Sequence, residues 1–431
     1  MMKRVAVIGA GAAGLSALRS LVKCQNHLLN FVAFETSDRV GGTWIHNDPF
    51  KATSMYDRLV TNLPTDVMAY PGFPFSTDDE RSFVGHKEVL KYLQRFAEHY
   101  NLLQHIRFRE RVIEVDILSP ESANEHDQWN VTVRNEESGL VTTHQFDYVL
   151  ICNGHYTEPK LSNIQGLDTF DGEVLHSHHY RSPSAYKNKI VLILGAGPSG
   201  VDIAADLIDD ASKIYLSHNK KASPVISNKV EMVSGIERVD GKDIILRDGK
   251  IVNSDVILLA TGYRFSFPFM AKRCHPTISS NRVASLYRLL VDINHPSLYY
   301  VGLNQTIAPF PHFHAQTEFA AACISGEFSL PDRKEMEKQC DDLYQKLVTD
   351  RNEVEKHYHN LKEYQWTYIR ELNHLLNRPP PTYVVENLYN HVHTVRQANS
   401  LLYKQSRYRL CNESHEGYVV VFEPSECQST V

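Results

Sequence analysis

The chain has no Cys-x-x-Cys pair, no long block of Lys and Arg, and no apolar run approaching a membrane span. Its seven cysteines (Cys24, Cys152, Cys274, Cys323, Cys340, Cys411 and Cys427) are odd in number and widely scattered. That excludes a disulfide frame and fits a reducing compartment. Apolar runs such as 256–260 fall far short of the roughly 18 residues that a spanning helix needs. With 45 basic against 51 acidic side chains the formal charge is −6, which argues against nucleic acid as the main partner. A strand-like run beginning at residue 5 leaves no room for a signal peptide. The expectation is a cytoplasmic protein without a transmembrane anchor; a secreted mature form whose leader was removed stays open. What remains is ordinary globular material: 431 residues, 42% hydrophobic and 22% charged, enough for two or three domains at about 150 residues each.

The order of patterns points to an α/β chain with two Rossmann-like dinucleotide-binding domains. A buried β-branched run at 4–8 leads into Gly9-Ala10-Gly11-Ala12-Ala13-Gly14, then a helical stretch to Cys24 and a second strand at 31–35. Residues 86–100 carry helical spacing, 111–117 and 129–133 alternate as strands, 119–128 reads as a polar surface loop, and 148–152 is another buried strand. A second unit repeats the opening: strand 190–194, the turn Gly195-Ala196-Gly197-Pro198-Ser199-Gly200, a helix over 201–207, and strands at 213–217 and 255–260. The two turns are too far apart for a solenoid repeat, so two domains of one architecture are expected. A strand at 299–303, a helix over 315–324, a charged helical stretch from 332 to 376, the stop Pro379-Pro380-Pro381 and a polar tail complete the chain.

Each glycine spacing carries a mechanism. In the first turn Gly9 permits a tight bend, Gly11 lets backbone approach a pyrophosphate, and Gly14 lets the helix pack on the strand. The helix N-terminus, at Ala12 and Ala13, offers free N–H groups to phosphate. Glu35, about 20 residues on, can accept hydrogen bonds from both ribose hydroxyls; the competing reading is a glycine turn with no ligand. The second turn (Gly195, Gly197, Pro198, Ser199, Gly200) is followed not by an acid but by Ser217 and His218, with Lys220 and Lys221 beyond. Ser217 and Lys220 could receive a ribose 2′-phosphate, which favours NADP over NAD; the competing reading is a solvated loop charge. One electron-carrying dinucleotide reducing another is the natural inference.

Phe170, Gly172, His176 and Tyr180 fit FxGxxxHxxxY, a pattern that resembles the fingerprint of flavin-containing monooxygenases. The related Baeyer–Villiger enzymes usually carry Trp where Tyr180 stands. Residues 39–44 resemble the family's second flavin segment, 56–75 its active-site segment, and 259–263 its ATG linker. The resemblance covers about three quarters of the chain and leans toward the shorter yeast, plant and insect members, an insect alkaloid N-oxygenase being one candidate. One departure is His218, where the family often has Arg.

The resemblance implies an FAD domain with an inserted NADP domain and a helical C-terminal extension. The FAD domain would open over 1–165, the NADP domain would occupy 166–290, and the FAD domain would resume, with the extension, over 291–431. The resemblance also implies that Gly9, Ala10, Gly11, Ala12, Ala13, Gly14, Glu35, Gly42, Thr43, Trp44, Thr61, Asn62 and Gln316 serve FAD. Asn62 is the implied catalytic residue, its amide lying near the flavin C4a–N5 edge and NADP+; the competing reading is a turn asparagine before Leu63-Pro64. FAD, NADPH and O2 would together oxygenate a tertiary amine, alkaloid or thioether through a C4a-hydroperoxyflavin. Such cofactor chemistry needs no catalytic triad.

His176, His178 and His179 lack partners at a metal-ligand spacing, so no metal is expected. His312 and His314 read as loop residues within reach of substrate, and Trp366 as core or dimer packing. A homodimer suits the fold. A pyridine nucleotide–disulfide oxidoreductase would need a close cysteine pair, which is lacking. An NADPH oxidase releasing hydrogen peroxide and a non-catalytic dinucleotide-binding scaffold are the alternatives.

Overall fold

The computed structural model describes residues 2–24, 29–76, 80–118, 127–218, 227–400, 402–411 and 417–424. Its largest sheet is built on the strand Lys3–Ile8, which pairs in parallel with Leu29–Glu35 on one side and Tyr148–Ile151 on the other. Ile106–Phe108 and Leu298–Tyr300 extend the parallel set outward. The short strands Val291–Asp292 and Leu286–Tyr287 finish one edge in antiparallel fashion. Covered on both faces, a parallel strand reads as a continuous apolar run. The side chains of Lys3–Ile8 divide by parity: Val5 and Val7 enter the core beneath the helices, while Ala6 and Ile8 enter a second core with Trp129, Val131 and Val133. That second core is roofed by the antiparallel strands Glu110–Ile117, Trp129–Asn135 and Val141–Phe146.

The other face is helical. Ala12–Lys23 packs along Pro309–Ser325, whose small residues Ala315, Ala320, Ala321 and Ala322 let it sit between that helix and Tyr364–Leu375. The helix starts earlier than its apolar spacing suggests, because Pro309 occupies its first turn, where a missing N–H costs nothing.

A separate five-stranded parallel sheet has the order Val230–Val233, Lys213–Ser217, Ile190–Leu194, Val256–Leu259, Glu173–His176. Two connecting strands, Glu158–Pro159 and Tyr263–Arg264, lie antiparallel where the chain passes to and from this unit.

The C-terminal region differs from the expectation in two ways. The stretch 332–376 is interrupted: Arg333–Tyr344 passes through a π turn, Gln345–Thr349, and irregular chain before Tyr364–Leu375. Beyond the prolines, the supposed polar tail forms a helix, Tyr383–Ala398, and a hairpin of Arg407–Leu410 with Tyr418–Phe422. Only Leu388 and Val392 of that helix are buried, too thin a stripe to stand out in the sequence. Among the described residues no helix is long and apolar enough to cross a membrane.

Candidate active site

The first glycine turn follows the strand Lys3–Ile8 without a break. Gly9 has φ +98°, and a Cβ there would lie 2.8 Å from the Cys152 carbonyl oxygen. A Cβ on Gly14 would stand 1.9 Å from the Gly9 carbonyl oxygen, which is the close strand–helix contact that only glycine allows. Gly11 is the N-cap of Ala12–Lys23, with no side chain capping it, so the first-turn N–H groups face outward with the positive end of the helix dipole. Its neighbour is Gly42 of the turn Gly42–Trp44, whose added Cβ would come within 2.8 Å of the Gly11 Cα. Two backbones stripped of side chains thus meet at one spot, a cradle that a dinucleotide pyrophosphate fits.

Glu35 ends the neighbouring strand and is buried. The Ala10 N–H donates to Oε2 at 2.6 Å, the Ser37 N–H to Oε1 at 2.9 Å, and Lys51 Nζ to Oε1 at 2.6 Å. Burial opposes ionisation, but the Lys51 charge and these donors outweigh it and hold the carboxyl below its usual range. Lys51 escaped the sequence reading, since no local spacing ties it to Glu35.

In the adjoining segment Thr43 Oγ1 lies 3.2 Å from Ser54 Oγ, and Trp44 is half-buried. Thr61 is buried, bonded through its N–H to the Val84 carbonyl and accepting from the Val84 N–H at 3.2 Å. That pair fixes the backbone beside Asn62, which is half-buried. Gln316 is fully buried, and its amide is engaged inside the protein: Oε1 accepts from the Gly302 N–H at 2.9 Å and Nε2 donates to Tyr368 Oη at 3.1 Å. His312 and His314 are not loop residues; both lie in the helix Pro309–Ser325, where His312 is fully buried on the Tyr368 ring.

The second glycine turn repeats the geometry. Gly195 has φ +114°, and a Cβ on Gly200 would stand 1.8 Å from the Gly195 carbonyl oxygen. Pro198 opens the helix Pro198–Asp206, and Gly197, Pro198 and Ser199 are exposed, with open space around Gly197. Ser217 is buried and donates to the Ser234 carbonyl at 2.8 Å, so its hydroxyl is turned into the protein. His218 is half-buried at the strand end; Lys220 and Lys221 lie outside the described residues.

The fingerprint residues tie the second unit and its linker together, and the next residue, Arg181, reaches the first unit. A Cβ on Gly172 would stand 2.5 Å from both the Asp255 carbonyl oxygen and the Phe170 ring. His176 Nε2 bonds the Gly262 carbonyl at 3.0 Å, and Nδ1 accepts from the His178 N–H. Tyr180 is fully buried and donates to Asp206 Oδ2 at 2.7 Å, seating the second glycine helix. Arg181 donates to the carbonyls of His178, Tyr180 and Thr53, the last on the segment leading to Asn62.

Comparison with known proteins gives concordant matches. A family model described as "FMO-like: Flavin-binding monooxygenase-like" matches residues 2–228 and 219–386. Flavin-containing monooxygenase FMO GS-OX-like 2 of Arabidopsis thaliana is 34% identical over 376 residues, spanning 80% of this chain and 78% of that protein. Flavin-containing monooxygenase FMO GS-OX5 of the same plant is 33% identical over 404 residues, 87% and 85% of the two chains. Among solved structures, S-allyl-L-cysteine S-oxygenase from Allium sativum superposes with TM-score 0.86 at 30% identity, covering 94% of this chain and 96% of that one. Tmm from Pelagibacter sp. strain HTCC7211 superposes with TM-score 0.82 at 24% identity over 94% and 93%, a likeness of fold.

Proposed function

Because the chain belongs to the flavin-containing monooxygenase family, we propose that this FAD-, NADPH- and O2-dependent enzyme oxygenates soft nucleophiles, thioethers first and tertiary amines or alkaloids second. The observation that carries the reading is the pair of glycine cradles, each at the N-terminus of a helix that follows a parallel strand, with Glu35 at the ribose end of the first. Thioethers rank first because the S-oxygenase from Allium sativum matches over nearly the whole chain.

The bound flavin supplies the activation of dioxygen, and NADPH the electrons. The protein's role is positional. Glu35, ionised and steadied by Lys51, receives the ribose hydroxyls of the first dinucleotide. The Gly11–Gly42 contact and the N-terminus of Ala12–Lys23 hold its pyrophosphate, and Gly197 with Pro198–Asp206 does the same for the second. Asn62, on backbone fixed by Thr61, would orient the reacting edge of the bound flavin. The substrate supplies its own lone pair, so no general base is required. A cytoplasmic setting accords with the buried free thiols of Cys152, Cys274 and Cys340.

The test is turnover of purified yellow protein with NADPH and S-allyl-cysteine or trimethylamine. The expected result is S-oxide or N-oxide formed in step with NADPH consumed. Peroxide in full stoichiometry with either substrate would favour the oxidase reading, and protein that retains no flavin would overturn the assignment.

A further inference from the structure

The helix Pro198–Asp206 carries Asp202 and Asp206 one turn apart, and Asp210 follows just beyond its end. This acidic edge faces cations that the first unit and the C-terminal extension supply. Arg58 approaches Asp210 at 3.2 Å and Asp206 at 3.9 Å. Lys404, on the short turn Tyr403–Gln405, donates to Asp202 Oδ2 at 2.9 Å and also to the Val60 carbonyl at 3.0 Å. One ammonium therefore grips the second glycine helix and the backbone two residues before Asn62. Its side chain and that of Asp202 are only 19% and 16% exposed, so the pair is poorly screened by solvent.

The extension is seated firmly enough to make this grip directional. Tyr403 packs edge-on against Phe83 at 5.5 Å, and the Tyr408 N–H donates to Ser82 Oγ at 2.8 Å. The two units are connected through the paired strands Glu158–Pro159 and Tyr263–Arg264, flanked by Gly154 and Gly262. Both glycines have positive φ and open space around the missing Cβ, and the Gly262 carbonyl is held by the Lys160 N–H at 2.9 Å and His176 Nε2 at 3.0 Å. Beside this narrow crossing, side-chain bridges between the units, Lys404–Asp202 among them, contribute to their relative placement.

We propose that Lys404 is a positioning residue: by binding Asp202 and the Val60 carbonyl together it latches the NADP helix to the Asn62 segment, and so sets how tightly NADP+ is held and how little peroxide escapes during turnover. This rests on the functional reading above. The C-terminal extension thereby acts on the nucleotide without touching it.

The test uses FAD-loaded protein titrated with NADP+ at low and high salt. Lys404→Met, which keeps the apolar stem, and Asp202→Asn should each weaken NADP+ binding on the order of fivefold. Each should raise the peroxide share of NADPH consumed, while flavin content and melting temperature stay near wild type. The double variant should do no more than either single change, since both remove one interaction, and Lys404→Arg should restore binding. Without nucleotide, amide exchange in peptides 153–162 and 260–265 should quicken in both single variants. Unchanged affinity and peroxide share in both single variants, or additive effects in the double variant, would overturn the latch while leaving the monooxygenase intact. Wild-type protein that holds FAD but does not bind NADP+ would overturn the functional reading and the latch with it.

Discussion

Gly14 and Gly197 belong to matching motifs yet face opposite constraints. The Cβ of alanine at position 14 would collide with the Gly9 carbonyl oxygen at 1.9 Å, whereas at position 197 it meets nothing within 4 Å. Gly14→Ala should therefore destabilise the fold by about 3 kcal/mol, read as a lower denaturant midpoint. Gly197→Ala should cost less than about 1 kcal/mol but weaken NADP+ binding about tenfold by standing where a pyrophosphate approaches, which calorimetric titration would read. Glu35 adds a pH signature. Its carboxyl is held below the usual range, so its contribution to stability is complete above the unfolded value near pH 4.3 and is lost as pH falls through the lower folded value. Glu35→Gln leaves Lys51 without its carboxylate, should cost about 2 kcal/mol, and should flatten that acid limb in urea melts run across pH.

At the scale of elements, the fingerprint strand and turn explain why a tyrosine stands at position 180. Its hydroxyl donates to Asp206 within the helix Pro198–Asp206, and its ring meets Tyr56 edge-on at 5.3 Å. Tyr180→Phe should keep the ring packing and lose about 1–2 kcal/mol through the abandoned Asp206 oxygen, measurable as a lower melting temperature. Elements of this kind were legible because their signals are local: both glycine turns, their flanking strands and Glu35 sit within one βαβ unit. What was not legible depends on partners remote in sequence. Lys51 reaches Glu35, Lys404 reaches Asp202, and Ser217 turns inward to Ser234, each through tertiary contacts that no periodicity encodes. The helix Tyr383–Ala398 was missed for another reason, since only a thin stripe of it is buried. His312 reads as a loop residue because two prolines closely precede it, whereas Pro309 and Pro311 fall in a first helical turn.

The whole molecule carries several histidines that burial keeps neutral. His155 is pushed down to about 4, and His312 and His359 to about 3. The unfolded chain takes up these protons first, near pH 6.5. Stability is therefore complete above that value and falls with acid, by up to about 1.4 kcal/mol per pH unit for each histidine until its folded value is passed. Denaturant midpoints should hold nearly constant above about pH 6.5 and fall steadily from there to about pH 5, and a flat profile over that lower range would refute this. The nesting of the two sheets has a different consequence, in time rather than energy. Leu298–Tyr300 pairs with Tyr148–Ile151 across the entire inserted unit. On the ribosome, then, the first sheet must wait with its fourth strand open on one side while the second is made, on the order of ten seconds at ordinary elongation rates. The guest domain is complete before its host can close.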